Sequence, residues 1–176
     1  QLSVKVEVRQ PMPIHILSEK LIAQIAAGEV VERPTSVVKE LLENALDAGA
    51  RTVHISTHEG GRKLIRVSDD GGGILVDEVE LAFTRHATSK LSRLEDLEAL
   101  LTLGFRGEAL ASIASVSRVM ITTRHHNENI GTQLRIEGGS ITQKLAVGVP
   151  VGTVLSIENL FYNTPARLKF LKSENT

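Results

Sequence analysis

The last third of the sequence alternates between apolar and polar residues, and this pattern limits the possible folds more than any other feature. Beginning near Val116, the hydrophobic period is two, which is typical of strands that bury one face. Short turns are predicted at residues 127–129 and at Gly138-Gly139. The predicted strands are residues 119–123, 131–136, 141–145 and 154–157. Since short turns join antiparallel neighbours, the pattern predicts a largely antiparallel sheet.

Two helices are predicted in the first part of the chain. Ser18 can cap a helix with apolar residues at helical spacing, and this helix is predicted to end near Gly28. A second helix is predicted to begin at Pro34, which suits a first helical turn, and to end at Gly49. Both ends of the second helix are therefore defined by residues with clear conformational preferences.

A hairpin follows the second helix and completes the predicted fold. Residues 53–57 and 63–67 read as strands on either side of a turn at Gly60-Gly61. Short helices are predicted over residues 77–83 and 92–101, the second from its capping-box spacing. Helices followed by strands that are mostly joined by hairpins predict an α+β fold. We expect a two-layer sandwich, with a mostly antiparallel, mixed sheet and helices on one face.

Composition narrows the class of protein. In a chain of 176 residues, 41% hydrophobic content is enough for one domain with a core, and 3% aromatic content means that the core is aliphatic. The absence of cysteine excludes disulfides and thiolate zinc sites. No apolar run approaches the ~20 residues of a membrane span. We expect a soluble cytoplasmic protein, whose domain covers residues 12–176 after an extension or cloning remnant at residues 1–11.

The second helix carries a polar stripe. Steps of four and seven residues bring Glu40, Asn44 and Asp47 within roughly 60° of one another around the helix. The opposite stripe is expected to be buried, and it consists of Val38, Leu41, Leu42 and Ala45. Asparagine is a mediocre helix former, which suggests a role for its carboxamide. Alone, however, the stripe is better explained as a solvated face.

Two further segments carry features of a ligand site. A predicted strand ends at Asp69 and is followed by Asp70 and a run of three glycines, too flexible for a strand interior. Later, a glycine-containing loop over residues 103–107 leads into an alanine-rich helix. The start of such a helix offers unpaired N–H groups and a positive dipole to an anion.

The three segments together, in this order, resemble the nucleotide site shared by gyrase, the ninety-kilodalton heat-shock chaperones, sensor histidine kinases and MutL mismatch repair proteins. The resemblance is closest to the N-terminal ATPase domain of the MutL type and covers nearly the whole chain from Met12. It rests on long matching stretches at residues 24–34, 47–50, 85–90, 104–113 and 161–167. One departure is Asp70, because many relatives carry asparagine there, and its role is therefore open.

The resemblance implies a role for each residue on the base and metal side. Glu40 would be the general base, and Asn44 would give its carbonyl oxygen to Mg²⁺. Asp47 would contact the water shell of the metal or, more simply, serve its own helix end. Asp69 would accept a hydrogen bond from the adenine amino group, with Thr153 beside it. Gly71 and Gly73 would let the backbone pass close to the base, while a plain strand threonine remains an alternative for Thr153.

The phosphate side, by the same resemblance, would consist of side chains and backbone N–H groups from two segments. A threonine and a lysine come from the first segment, and a glycine-rich loop with its following helix start forms the second. These residues are Thr88, Lys90, Gly104, Phe105, Arg106, Gly107, Glu108, Ala109 and Leu110. The segment from residue 84 to residue 106 is expected to act as a lid that nucleotide orders.

The implied function is slow, Mg²⁺-dependent ATP hydrolysis that drives a conformational switch in DNA mismatch repair. The resemblance also implies that the chain is a fragment of a longer protein, with a second domain and a C-terminal dimerisation domain absent. The implied partners are a second copy of that longer protein, bound when ATP is present, a mismatch-recognition protein and downstream repair enzymes. The helix beginning at Ser18 would lie over the nucleotide site or the partner subunit. The implied location is the cytoplasm, with the nucleoid in a bacterium or the nucleus in a eukaryote. DNA would bind weakly if at all, since the net charge is −1.

An alternative function is a DNA-binding or scaffold module with a vestigial nucleotide pocket. Its support is two basic clusters, one at Arg62, Lys63 and Arg66 and the other at Arg167, Lys169 and Lys172. Exposed cationic faces usually serve solubility alone. Kinase or gyrase function would need a phosphoacceptor domain or a topoisomerase partner, and neither is on this chain. No phosphate-loop or dinucleotide-binding motif follows a suitable strand, and the six histidines have no metal-ligand spacing.

Overall fold

The computed structural model of the chain describes residues 16–84 and 108–173, and in these ranges it forms a six-stranded sheet. The strands are β1 (Val53–His58), β2 (Leu64–Asp69), β3 (Arg118–Arg124), β4 (Gly131–Glu137), β5 (Ser140–Val147) and β6 (Gly152–Glu158). Their order across the sheet is β1-β2-β6-β3-β4-β5, and each pairing among these strands is antiparallel. The predicted strands and the antiparallel character of the sheet are confirmed.

Four α-helices are present in the described residues. They are α1 (Glu19–Val30), α2 (Pro34–Asp47), α3 (Ala109–Ser115) and α4 (Pro165–Ser173). The Oγ of Ser18 accepts a hydrogen bond from the Leu21 N–H at 3.3 Å, so the predicted cap of α1 is confirmed. No helix in the described part of the chain has the length and apolar character that a membrane crossing requires.

One predicted helix ends two residues later than expected, and another predicted helix does not form. The first helix continues past Gly28 to Val30, and a Cβ at Gly28 would lie 2.8 Å from Nη1 of Arg167. This glycine therefore allows close packing and does not end the helix. The predicted helix over residues 77–83 is a series of turns ending in a single 3-10 turn, Leu81–Phe83. Only Val79 in that segment is fully buried, so tertiary packing contributes little to so short a helix.

The helices cover one face of the sheet and bury an aliphatic core. On α2 the buried residues are Val37, Leu41 and Ala45, which are spaced by four. The predicted buried stripe is therefore partly wrong, since Val37 replaces Val38 as the buried valine, and Leu42 is half-exposed. Val38 packs against the edge of the core.

The glycine turn of the hairpin is confirmed by the positive φ values of Gly60 and Gly61.

The row of buried residues along β2 becomes polar at its end. Ile65 and Val67 are buried beneath α2, and Asp69 lies on the same face because side chains alternate along a strand. The register pairs Asp69 with Thr153 on β6, and Thr153 with Thr123 on β3. Three neighbouring strands therefore bring polar side chains together at one end of the core. Some predicted segments lie outside the described residues. They are the helix over residues 92–101, the expected lid except for Thr84, and the extension at residues 1–11.

Candidate functional site

The Asp69 carboxylate is held at the end of β2 by a hydrogen bond from the backbone two residues further along the chain. The N–H of Gly71 donates a hydrogen bond to Oδ1 of Asp69 at 2.9 Å. Burial raises the pKa of the Asp69 carboxyl above its ordinary value, and the nearby charge of Asp70 adds to this rise. The N–H groups of Gly71 and Thr153 lower the pKa but do not cancel the effect of burial. The site therefore presents a half-buried, oriented hydrogen-bond acceptor.

A hydroxyl pair lies next to Asp69 in the sheet. Oγ1 of Thr153 is 3.0 Å from Oγ1 of Thr123, and both residues are buried. Thr123 also contacts the loop after β2, since the N–H of Ile74 donates to its hydroxyl at 3.0 Å. The sequence interpretation included Thr153 and missed Thr123. The sequence signal for Thr123 was only its place in a predicted strand, because nothing local shows which strand lies beside it.

The three glycines after Asp70 form a loop between α2 and β3. A Cβ at Gly71 would lie 2.9 Å from Cβ of Ala48, the residue that follows α2. The N–H of Gly72 donates to the carbonyl of Ala48 at 2.9 Å. Gly73 has a φ of +72°, and a Cβ there would lie 2.0 Å from the carbonyl oxygen of Arg124. Packing within the protein therefore requires Gly71 and Gly73, and their approach to a base stays a prediction.

Asp70 has a structural role, which answers the question left open by the sequence. Its Oδ1 accepts hydrogen bonds from the N–H groups of Arg51 at 2.7 Å and Thr52 at 2.8 Å. These bonds, that of Thr52 first, lower the pKa of the Asp70 carboxyl. Asp70 thus joins the end of β2 to the start of β1. The carboxamide oxygen of asparagine can accept the same two bonds, so either residue suits this position.

The polar stripe of α2 ends beside the glycine loop. Glu40 and Asn44 are half-buried, and Asp47, the last residue of the helix, is exposed. The carbonyl of Asn44 accepts the N–H of Ala48 at 3.0 Å, so Asn44 lies one turn before the residue that packs on Gly71. The structure therefore brings this part of the stripe close to the loop that follows Asp69.

The oxygen atoms of this stripe could serve as ligands for Mg²⁺. They are too few for a metal ion whose ligands all come from protein side chains. No group of three histidine, aspartate or glutamate side chains is placed to hold a metal within the described ranges. Mg²⁺ in nucleotide sites commonly keeps several waters and takes other ligands from phosphates, so it needs only one or two protein oxygens. The carboxamide oxygen of Asn44 fits that requirement.

The described part of the predicted phosphate side is a helix start. Glu108 precedes α3 and is half-buried, Ala109 is buried, and Leu110 packs against the core. The expected alanine-rich helix is confirmed, and it packs against α1. Thr88 and Lys90 lie outside the described residues, as do Gly104, Phe105, Arg106 and Gly107. Phosphate contacts therefore stay a prediction.

A concave surface lies at the opposite end of the sheet from Asp69. This groove has a volume of about 450 Å³ and includes Arg62, Lys63 and Arg118 in its lining. Nζ of Lys63 is 4.0 Å from a carboxylate oxygen of Glu59, and Nε of Arg118 is 2.8 Å from one of Glu137. Because these cations are neighboured by carboxylates, the groove gives little support to a DNA-binding module.

Comparison with known families gives a match over most of the chain. Residues 32–151 match the family described as histidine kinase-, DNA gyrase B-, and HSP90-like ATPase. The DNA mismatch repair protein MutL of Koribacter versatilis is 59% identical over 163 residues, which are 93% of this chain and 25% of the relative. That of Heliobacterium modesticaldum is 59% identical over 160 residues, or 91% of this chain and 24% of the relative. The chain thus spans about a quarter of the length of these relatives.

Solved structures give the same result for the fold. The N-terminal domain of a DNA repair protein is similar with a TM-score of 0.72 and 32% identity, covering 89% of this chain and 45% of that chain. The Aquifex aeolicus MutL ATPase domain complexed with ADP is similar with a TM-score of 0.59 and 38% identity. That match covers 80% of this chain and 48% of that chain. Both matches include most of the sheet and helices described above.

Proposed function

Since the chain belongs to the histidine kinase-, DNA gyrase B- and HSP90-like ATPase family, as an N-terminal ATPase domain of the MutL type, we propose that it binds ATP with Mg²⁺ and hydrolyses it slowly. The observation that carries this proposal is the oriented carboxylate of Asp69 beside a glycine loop packed on the end of α2. The bound nucleotide would drive a conformational switch that couples mismatch recognition to downstream repair factors. By the same proposal, the protein acts in the cytoplasm, at the nucleoid of a bacterium or in the nucleus of a eukaryote.

Asp69 is proposed to select adenine. Its carboxylate accepts hydrogen bonds, and the 6-amino group of adenine donates them. Guanine has a carbonyl oxygen at that position, so two acceptors would face each other without a proton between them. A partly buried carboxylate enforces this rule more strongly than an exposed one, because an unpaired polar group in a buried place is costly.

Replacing Asp69 with alanine is expected to weaken ATP binding by about 1.5–3 kcal/mol, the typical contribution of a hydrogen bond to a charged group. Calorimetric titration with Mg²⁺ and a non-hydrolysable ATP analogue measures this change, and GTP gives the selectivity. Asp70→Asn is the matched control, because it keeps the acceptor for Arg51 and Thr52 and should bind ATP like wild type. If Asp69→Ala binds ATP as tightly as wild type, the base pocket is elsewhere.

The chemical step is proposed to use the polar stripe of α2. Glu40 would orient the attacking water and accept its proton, and Asn44 would hold the metal through its carboxamide oxygen. When bound, Mg²⁺ screens phosphate charge and polarises the scissile bond. Thr88, Lys90 and the N–H groups of residues 104–110 would hold the phosphates, since a helix start and glycine-rich backbone suit anions.

The exposed face of α1 supports a proposal about self-association. Leu21, Ile22 and Ile25 are 42%, 46% and 54% exposed, and Ile16 and Leu17, which precede the helix, are exposed as well. We expect α1 to pack across a second copy in a longer protein when ATP is bound. Mismatch-recognition proteins and downstream repair enzymes are proposed as further partners of the longer protein, and DNA only as a weak one.

The chain of 176 residues is expected to stay mostly monomeric even with nucleotide, because one exposed helix face is small compared with a stable interface. Sedimentation velocity with and without the ATP analogue tests this expectation. In a protein extended to the length of its relatives, Ile25→Lys should weaken nucleotide-dependent dimerisation without changing the monomer. A nucleotide-induced dimer of the 176-residue chain would mean that α1 suffices for association.

A further inference from the structure

The hydroxyl of Thr123 is buried with three partners and has no capacity left for a fourth. Thr123 is 1% exposed. Its Oγ1 lies 3.0 Å from the N–H of Ile74, 3.0 Å from the carbonyl oxygen of Gly152 and 3.0 Å from Oγ1 of Thr153. A hydroxyl can donate one hydrogen bond and accept two. The three contacts therefore use its full hydrogen-bonding capacity.

The chemistry of the three partners decides which way each proton points. The N–H of Ile74 can only donate, so Thr123 accepts from it. The carbonyl of Gly152 can only accept, so Thr123 donates its single proton there. The third contact is then possible only if the Thr153 hydroxyl donates to Thr123. No other assignment of protons makes all three hydrogen bonds.

This assignment leaves Thr153 with lone pairs and no free proton. Thr153 is paired with Asp69 across β2 and β6, and both side chains lie on the face of the sheet that the helices cover. The ionised Asp69 carboxylate also only accepts. Two neighbouring groups that can only accept suit a ligand group, or a ligand with a bridging water, that donates to both.

We propose that Thr123 is a specificity-determining residue, which orients the Thr153 hydroxyl so that the pocket takes a 6-amino purine and rejects a 6-oxo purine. The proposal rests on the proposed function, because it assumes that the base enters beside Asp69. At position 6 an amino group has two hydrogens to donate, whereas a carbonyl oxygen has none. The single N1–H of a 6-oxo purine can serve only one of the two acceptors, and its 6-oxygen then meets the other with no proton between them. Thr123 does not itself touch the base in this proposal, and it acts through the proton of Thr153.

The test compares ATP with inosine triphosphate, which differs in carrying an oxygen in place of the 6-amino group, in a hydrogen at N1 and in nothing else. Equilibrium binding of both nucleotides with Mg²⁺ is measured for wild type, Thr123→Ser and Thr123→Val. The ratio of the two affinities isolates the base, since the sugar and phosphates are the same. Thr123→Ser keeps the hydroxyl and should keep the wild-type ratio.

Thr123→Val has the same shape without the hydroxyl, so the Thr153 proton is free to turn toward the ligand. The preference for ATP over inosine triphosphate is expected to fall about tenfold, the effect of one typical hydrogen bond. A folded Thr123→Val protein with the wild-type ratio would overturn the proposal. If wild type binds neither nucleotide, the proposed function fails, which is a separate result. If wild type binds both equally, ATP binding stands and the present proposal is overturned.

A second variant decides the matter if Thr123→Val does not fold, which can happen because Ile74 and Gly152 lose a partner. In Thr153→Val, a lost acceptor should lower the affinity for ATP about tenfold and leave that for inosine triphosphate unchanged. An equal loss for both nucleotides would mean that Thr153 does not distinguish the groups at position 6, and a larger loss for inosine triphosphate would mean that Thr153 donates to its 6-oxygen. Either outcome would overturn the proposal.

Discussion

Replacing Glu40 with alanine is expected to lower the rate of ATP hydrolysis by ~10²–10⁴-fold and to leave ATP binding unchanged. A general base acts in the transition state and contributes little to the bound ground state, so its loss raises the barrier by about 3–5 kcal/mol. The half-buried position of Glu40 on α2, one turn before Asn44, supports this assignment. Turnover should be measured in a longer version of the protein, where hydrolysis exceeds background.

Two further variants of α2 make the prediction specific. Asn44→Ala is expected to lose Mg²⁺-dependent nucleotide affinity, because a metal ligand contributes to the bound state. Glu43→Ala removes a neighbouring carboxylate that lies 3.9 Å from Nζ of Lys39, and it should hydrolyse ATP at the wild-type rate. If Glu40→Ala abolishes binding, or hydrolyses ATP normally, Glu40 is not the general base and the stripe mainly shapes the pocket.

Gly73→Ala is expected to destabilise the fold by about 3–5 kcal/mol and to abolish nucleotide binding with it. An alanine there would have to adopt a φ of +72° and place its Cβ 2.0 Å from the carbonyl oxygen of Arg124. Both the loop and the end of β3 would have to move. Urea unfolding followed by circular dichroism measures the loss.

Gly72→Ala is the matched control in the same loop. Its Cβ would lie 3.6 Å from the nearest atom, the carbonyl oxygen of Ala48, which is ordinary van der Waals contact. We expect a change within about 0.5 kcal/mol, as for most substitutions without steric conflict. Equal unfolding midpoints for the two variants would show that Gly73 does not pass Arg124 as closely as described.

Much of the fold could be predicted because its signals are local. Period-two patterns identified β3 to β6, and Pro34 with the polar stripe identified α2, since each depends on residues within a few positions of one another. Predictions that failed depended on distant neighbours. Gly28 resembles a helix end in the sequence, but it lies inside α1, where the absence of a side chain leaves room for the guanidinium of the distant Arg167. The choice of Val37 over Val38 as the buried residue also depends on how α2 is rotated on the sheet.

The site divides in the same way between sequence and tertiary structure. The sequence by itself determined that Asp69 ends a strand before a glycine run, and that Glu40 and Asn44 share a helix face, because these are matters of spacing along one element. Only the tertiary structure decided what surrounds them. Thr123 joins Ile74 and Thr153 across 49 and 30 positions of sequence, respectively, because sheet register places it between them. Register depends on the packing of the whole sheet, and no local pattern in the chain records it.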